Sequence, residues 1–273
     1  MNRNTRGFTL TELLVATIVM GILGVALTGI LVNDSRFVSK VEAMMNARQA
    51  ARAAMNTIAV ELQMVSNGSL TVATGTRVQA RMPYAFGLLC NRSGSLRYAV
   101  LIPTDSLMYA TASPDGMAWR DASGGYTFMN ISGVEDASLT SPCTSVGIQA
   151  PLGGRAIKIA ITDDTLKVAD VFYLHQTVDY RFSTSVEVPG RTALWRIQGA
   201  EPWEELLAPF DVSSGFRFWV AGSDTSLVIP PADLSLITGL DLRLVGAAEV
   251  TPQGSSKPPS FEIRTRVNFL NRR

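Results

Sequence analysis

The sequence predicts an α+β fold in which a long amino-terminal α-helix, membrane-spanning in its inner half, packs on a carboxy-terminal, mainly antiparallel β domain. The first observation is an uncharged apolar run from Leu13 to Val32, long enough to cross a bilayer as a helix. The second is an apolar stripe with helical spacing that continues to Val65. The third is a series of later segments in which apolar and polar residues alternate, as in half-buried strands.

Basic residues precede the apolar run. Arg3 and Arg6 lie within residues 1–7, and residues 8–32 carry one charge, Glu12. A secretory signal has an apolar region of about 7 to 15 residues that ends at a small-x-small cleavage site. This run is longer and ends at VNDSR. The positive-inside rule then keeps the amino terminus in the cytoplasm and sends the large domain across the membrane.

Helical spacing continues beyond the bilayer, over residues 33–66. The predicted buried stripe contains Val41, Met44, Arg48, Ala51, Met55, Ile58, Leu62 and Val65. The opposite, polar side contains Lys40, Glu42, Arg52 and Glu61. A stop follows at SNGS, residues 66–69. We therefore expect one helix over 9–66, about 58 residues and roughly 85 Å long, whose stripe packs on the chain's own domain or on partner helices.

Residues 67–273 predict a β-rich globular domain. The clearest strands are QTVDYRFSTSVEV and SFEIRTRVNFL, the first with Val178, Tyr180 and Phe182 inward and Asp179 and Arg181 outward. Shorter candidates begin at 96, 155, 167, 215 and 240, and residues 251–260 form a polar turn. Residues 201–209, EPWEELLAP, are predicted as a short helix. The turn-rich stretch 110–150 has no assigned structure.

The amino terminus carries a specific motif. RGFTLTELLVATIVMGILG resembles the prepilin signature of type IV pilins and type II secretion pseudopilins, residue by residue at Gly7, Phe8, Thr9, Leu10, Glu12 and Leu13. The resemblance implies that prepilin peptidase cuts between Gly7 and Phe8, removes the leader 1–7 and N-methylates Phe8. The helix then stays in the mature protein, and the architecture is pilin-like.

The same resemblance implies a role for Glu12. A carboxylate within a span is costly and usually has a partner. The new amino group of a neighbouring subunit is largely protonated at neutral pH and attracts a carboxylate strongly in a low dielectric. Glu12 is thus expected to set the register in which this helix joins a bundle of other pilins or pseudopilins.

The carboxy-terminal half has a second, less specific resemblance. Over about 178–272 the order of segments is similar to that of PilW-like minor pilins and J-type pseudopilins, around LAPFDVSSGFRFWV. Major pilins commonly have a proline in the membrane helix and a disulfide loop near the carboxy terminus. This chain has no proline before Pro83 and no cysteine after Cys143. The resemblance therefore favours a low-abundance subunit.

The two cysteines, Cys90 and Cys143, lack the CxxC spacing and nearby histidines of a zinc or redox site. Two alternatives stay open, a disulfide and a pair of buried thiols. An oxidising compartment outside the cytosol favours the disulfide.

Signs of enzymatic chemistry are weak. His175, the one histidine, is expected to face solvent on a strand, and motifs for acyl, metal or nucleotide chemistry are missing. Asp163, Asp164 and Asp170 lack the spacing of a calcium loop. The tryptophans are expected in the core rather than on a sugar or peptide platform. They are Trp119, Trp195, Trp203 and Trp219. We predict neither a catalytic residue, nor a metal, nor a cofactor.

These features predict a non-enzymatic minor pilin of a type IV pilus that helps to initiate or cap filament assembly. The alternatives are a J-type pseudopilin of a type II secretion system and a membrane-anchored extracytoplasmic enzyme or binding module. Expected partners are prepilin peptidase, the inner membrane, other minor pilins or pseudopilins and the major pilin. With Lys+Arg 24 against Asp+Glu 23, overall charge gives no case for nucleic acid. Expected localisation is a single-pass inner-membrane protein with a periplasmic domain, then a filament near its tip.

Overall fold

The computed structural model describes residues 9–138, 142–161, 165–249, 251–252 and 255–269. The helices are α1 (Leu10–Gln63) and α2 (Pro103–Thr111). The strands are β1 (Leu70–Thr74), β2 (Arg77–Ser93), β3 (Leu96–Leu101), β4 (Gly116–Arg120), β5 (Tyr126–Asn130), β6 (Val134–Asp136), β7 (Arg155–Ala160), β8 (Val171–Thr184), β9 (Thr192–Gln198), β10 (Glu204–Phe210), β11 (Gly215–Val220), β12 (Ile237–Ala247) and β13 (Ser260–Asn268).

The long amino-terminal helix is confirmed. It is one uninterrupted element of 54 residues, and it ends before the turn at 66–69, where Gly68 adopts a positive φ of 81°. The stripe packs against the chain's own domain only from Ala47 onward. Val41 and Met44, which were predicted in the stripe, are 41% and 38% exposed. They precede the first contact of the helix with the domain.

The carboxy-terminal domain is an antiparallel β-sheet, as predicted. All strand pairs in the described part of the chain run antiparallel. The neighbour order is β11-β12-β10-β9-β8-β2-β3-β7-β6, with β13 beside β12 and β4 beside both β5 and β8. β11 and β13 both pair with residues 239–243 of β12 and therefore flank it on opposite sides.

Two hydrophobic cores share this sheet. In the first core, Met55, Ile58 and Leu62 of α1 pack against the sheet. The strands that contribute to this core include β8, β12 and β13. The second core contains no residue of α1 and is built from β2, β3, β4, β7 and β8 around Trp119 and Phe172. It gives structure to part of the stretch 110–150 that the sequence left unassigned.

Strands β2 and β8 run through both cores. β8 uses the same face in both, with Phe172 in the second core and Tyr180 in the first. β2 contributes even-numbered residues such as Met82 to the first core and odd-numbered ones such as Ala85 to the second. The register shift between Pro83 and Ala85 explains the change. One extra residue in β2 makes odd-numbered side chains take the core-facing side that even-numbered ones took before it, so β2 stays in step with β8.

Three local predictions were wrong. Within the predicted helix 201–209, residues 204–209 belong to β10 instead, and pairing with β9 satisfies backbone groups there. Asp179, expected on a wet face, is only 1% exposed because Arg77 of the neighbouring strand covers and pairs with it at 2.6 Å. Glu61 on α1, expected in solvent, faces the domain.

Candidate functional site

The amino-terminal end of α1 is closed by a capping box between Thr9 and Glu12. The backbone N–H of Glu12 donates to Thr9 Oγ1 at 3.3 Å, and the Thr9 N–H donates to Glu12 Oε2 at 3.0 Å. Both bonds satisfy donors that a helix end leaves unpaired. The pattern Thr-x-x-Glu is visible in the sequence, but we had interpreted Glu12 only as an intersubunit partner. Gly7 and Phe8 lie outside the described residues.

The first part of α1 projects freely from the domain. From Leu10 to Asn46 its side chains are exposed, apart from the half-buried Ala43. An apolar window of this helix has a mean hydropathy of 2.5, with none of it buried inside the chain. By length and composition it can cross a membrane. Beyond Val32, large apolar side chains such as Phe37 and Met45 are still 66% and 54% exposed.

Contact with the domain begins where α1 crosses β12. Ala47 and Ala51 are fully buried there, and Gly246 lies beneath them. A Cβ atom at Gly246 would lie 2.0 Å from the Ala47 carbonyl oxygen and 3.2 Å from the Ala51 Cβ. Small residues on both elements therefore let the helix backbone touch the sheet.

A polar cluster fixes the other end of the docked segment. Arg196 Nη2 of β9 lies 3.2 Å from Glu61 Oε1, and the buried Tyr180 hydroxyl of β8 donates to Glu61 Oε2. Burial raises the pKa of Tyr180 well above its usual range, so the phenol stays a donor. Just beyond α1, the Ser66 hydroxyl lies 2.9 Å from the Tyr173 hydroxyl. Together these contacts set the rotation of α1 on the sheet.

Cys90, on β2, lies beside Cys143, which precedes β7 in the chain. The structure joins Cys90 and Cys143 in a disulfide with a Cα–Cα distance of 4.9 Å, and both residues are buried. The bond ties the segment before β7 to β2 and closes a loop across 53 residues of sequence.

His175 is buried, contrary to the sequence interpretation. It is 1% exposed because β4 and the Phe128 ring of β5 cover β8 at this point. Neither ring nitrogen has a hydrogen-bond partner. Burial, reinforced by the nearby Arg81 and opposed by Asp115, lowers the pKa of His175 to about 4. The ring is therefore neutral at pH 7.

Only one tryptophan is in a core. Trp119 is 1% exposed, whereas the other three are half-buried and stack with arginines. The Arg181 guanidinium lies 3.8 Å from the Trp203 ring centroid and 5.8 Å from that of Trp195. The prediction of core packing was therefore wrong for these three tryptophans, which make cation–π contacts on the outer face of the sheet.

The described residues contain no group of three or more His, Cys, Asp or Glu side chains placed to hold a metal ion. Asp163 and Asp164, considered for calcium, lie outside the described residues. An open cleft of about 930 Å³ lies between α2 and β6, with Asp115, Glu135 and Asp136 on its walls. Arg155 and Lys158 neutralise two of these carboxylates, at 3.3 Å and 2.7 Å.

Comparison with known proteins identifies the amino terminus. Residues 2–28 match the family described as the prokaryotic N-terminal methylation motif, which is prepilin-type. Together with the long apolar helix, this match supports a type IV pilin-like protein. No curated protein and no solved structure matches the chain.

Proposed function

We propose that this type IV pilin-like chain is a minor pilin of a type IV pilus, inserted through α1 and helping to initiate or cap filament assembly. The observation that carries the proposal is the methylation motif at the start of a helix whose residues from Leu10 to Asn46 are exposed, apart from the half-buried Ala43. The motif implies processing by prepilin peptidase and assembly with other pilins.

Processing gives the free part of α1 its assembly chemistry. Cleavage between Gly7 and Phe8 removes the leader 1–7, and the methylated Phe8 amine becomes the new terminus. Residues 8–32 anchor the chain in the inner membrane, 33–66 form the extracytoplasmic helix, and 67–273 form the periplasmic domain. Glu12, a cap within its own helix, pairs with the amine of a neighbouring subunit when the helices bundle.

A low-abundance role is supported by the domain. Its second core adds a large body of chain beyond the docked part of α1, and this bulk suits a subunit at a filament end better than one repeated along it. The J-type pseudopilin of a type II secretion system is the alternative with the same processing. A membrane-anchored enzyme or binding module is the third, and it has no use for a methylation motif.

The decisive experiment is intact mass and amino-terminal sequencing of the protein from membranes of its native host, with and without prepilin peptidase. The expected mature chain begins at N-methylated Phe8 and depends on that enzyme. A chain that starts at Met1, or one cut after residue 32, would overturn the proposal.

A second experiment separates the pilus from the secretion system. Deletion of the gene should reduce the number of surface pili, and the complemented strain should recover them. Normal piliation combined with retained secretion substrates would assign the chain to the pseudopilins instead.

A further inference from the structure

The outer face of β11, β12 and β13 carries a concentration of arginines. Side chains on β13 alternate, so that Phe261 and Ile263 pack toward α1 while Arg264 and Arg266 project from the opposite face. Cross-strand register places Arg266 opposite Asp241 and Asp241 opposite Arg217, with Arg243 opposite Arg264 in the next row. We call Arg217, Arg243, Arg264 and Arg266 the arginine face.

Acidic residues compensate only part of this charge. Arg243 and Arg264 share one carboxylate, Glu262, with Arg243 Nη2 at 3.0 Å. These two hydrogen bonds hold the pKa of Glu262 at about 2, so it is ionised at neutral pH. Among the described residues, Arg217 and Arg266 make no ion pair. Positive charge and free guanidinium donors are therefore in excess.

The arginines surround a shallow depression of about 150 Å³, lined also by Asp241. Arg217 lines this depression, and its Nη2 donates to the Ser226 carbonyl at 3.1 Å, which fixes the position of the guanidinium. Planar guanidinium groups match phosphate oxygens in geometry as well as in charge.

An aromatic ring adjoins the arginines. The Arg266 guanidinium lies 3.7 Å from the Trp219 ring centroid, and Trp219 Nε1–H donates to Asp241. The Trp219 ring is half-buried, and its contacts with Arg266 and Asp241 hold it in place. Sites for single-stranded nucleic acid combine basic residues for the backbone with fixed aromatic and arginine planes for the bases. An acidic peptide would need only the arginines and would make no use of the aromatic ring.

The position of the face excludes the bilayer as its ligand. In the topology proposed above, α1 leaves the membrane near Val32 and first meets β12 at Ala47, about 20 Å further along the helix axis. The arginine face lies on the side of the sheet that faces away from α1. Lipid headgroups are out of its reach, and a soluble polyanion is not.

We propose that the arginine face binds the phosphate groups of single-stranded nucleic acid, with Trp219 and Arg266 as the stacking platform. Arg217 and Arg266, which make no ion pair among the described residues, contact the phosphates, and Arg243 and Arg264 add positive charge on the adjoining row. The recognition is independent of base sequence because the proposed contacts are to phosphates and ring faces.

The test is fluorescence anisotropy of a labelled 20-nucleotide thymidine oligonucleotide, titrated with the full chain in non-ionic detergent micelles at several salt concentrations. Two phosphate contacts, made by Arg217 and Arg266, predict that log K falls with log salt with a slope of about −1.4, at about −0.7 per contact on a single strand. The double variant Arg217→Gln/Arg266→Gln should bring this slope close to zero and weaken binding at least tenfold.

A charge-matched control comes from α1. Arg52→Gln removes the same type of charge from an exposed helix position outside the face and should leave the slope unchanged. Circular dichroism melting of each variant verifies folding. Inorganic phosphate at millimolar concentration should compete with the oligonucleotide.

Three outcomes would overturn the proposal. One is the absence of oligonucleotide binding at 50 mM salt. Another is equal binding by the double variant and by Arg52→Gln. The third is equal or tighter binding of a poly-glutamate peptide with the same sensitivity to the double variant, which would assign the face to an acidic protein segment.

Discussion

The contact between α1 and β12 at Gly246 makes a sharp prediction. We expect Gly246→Ala to push the helix away from the sheet and weaken its docking, although the change adds a single methyl group. That methyl would lie 2.0 Å from the Ala47 carbonyl oxygen and 2.9 Å from the Ala47 carbonyl carbon. Both atoms belong to the helix backbone, so no side-chain rotation relieves the clash.

The size of the effect follows from the distances. Contacts below about 3.0 Å are not tolerated, so Ala47 must retreat by at least about 1 Å from its present 2.0 Å. A gap of that size forfeits a quarter to a half of the dispersion attraction for the side chains behind it, such as Ala51 and Met55. Overpacking of this kind costs about 1 to 3 kcal/mol. The corresponding fall in Tm is about 2 to 12 °C.

The assay is thermal unfolding of the full chain in detergent, followed by circular dichroism. Limited trypsin digestion at Arg52 provides a second readout, since this exposed site is cut faster when the helix leaves the sheet. Gly133→Ala is the matched control, because a Cβ there meets nothing within 4 Å. Equal Tm values and equal cleavage rates for the two variants would refute the close-contact reasoning.

Three further predictions concern the cap, the disulfide and the buried histidine. Glu12→Ala and Glu12→Gln should both insert into the membrane but enter sheared filaments poorly, because pairing needs the charge; normal incorporation of the glutamine variant would reduce Glu12 to a helix cap. Cys90→Ala/Cys143→Ala should lower the unfolding free energy by about 4 kcal/mol in urea titrations, given the 53-residue separation; identical wild-type curves with and without reductant would contradict the bond. Because the folded pKa of His175 is depressed to about 4, stability present above pH 6.5 should decline by up to about 3 kcal/mol as the pH falls from 6.5 toward 4. His175→Leu should remove that component from melts across this range, and an unchanged pH profile would count against it.

The sequence was most informative where a pattern is long or local. Twenty uncharged residues and a continuous stripe predicted α1, and clean alternation predicted β8 and β13. The start of contact at Ala47 was not predictable, since it depends on Gly246, which is distant in sequence. The capping box follows from the local pattern Thr-x-x-Glu at Thr9 and Glu12, whereas the sequence interpretation assigned Glu12 an intersubunit role alone.

Burial on the sheet was least predictable because it depends on which strands become neighbours. Asp179 and His175 have polar side chains, and alternation alone placed Asp179 in water. Arg77 and the β4–β5 hairpin, both far away in sequence, cover them. β2 was not predicted, because Pro83 and Gly87 interrupt the alternation of apolar and polar residues. In the structure, the bulge beside Pro83 accommodates the proline.

Strands β2 and β8 also determine how the domain bears a mechanical load. A pull between α1 and the second core would act lengthwise on these two strands, which pair from Arg77 opposite Arg181 to Leu88 opposite Val171. Their hydrogen bonds lie across the strand direction, so such a force shears the whole ladder at once instead of opening one bond after another. The domain would therefore resist stretching best in this direction.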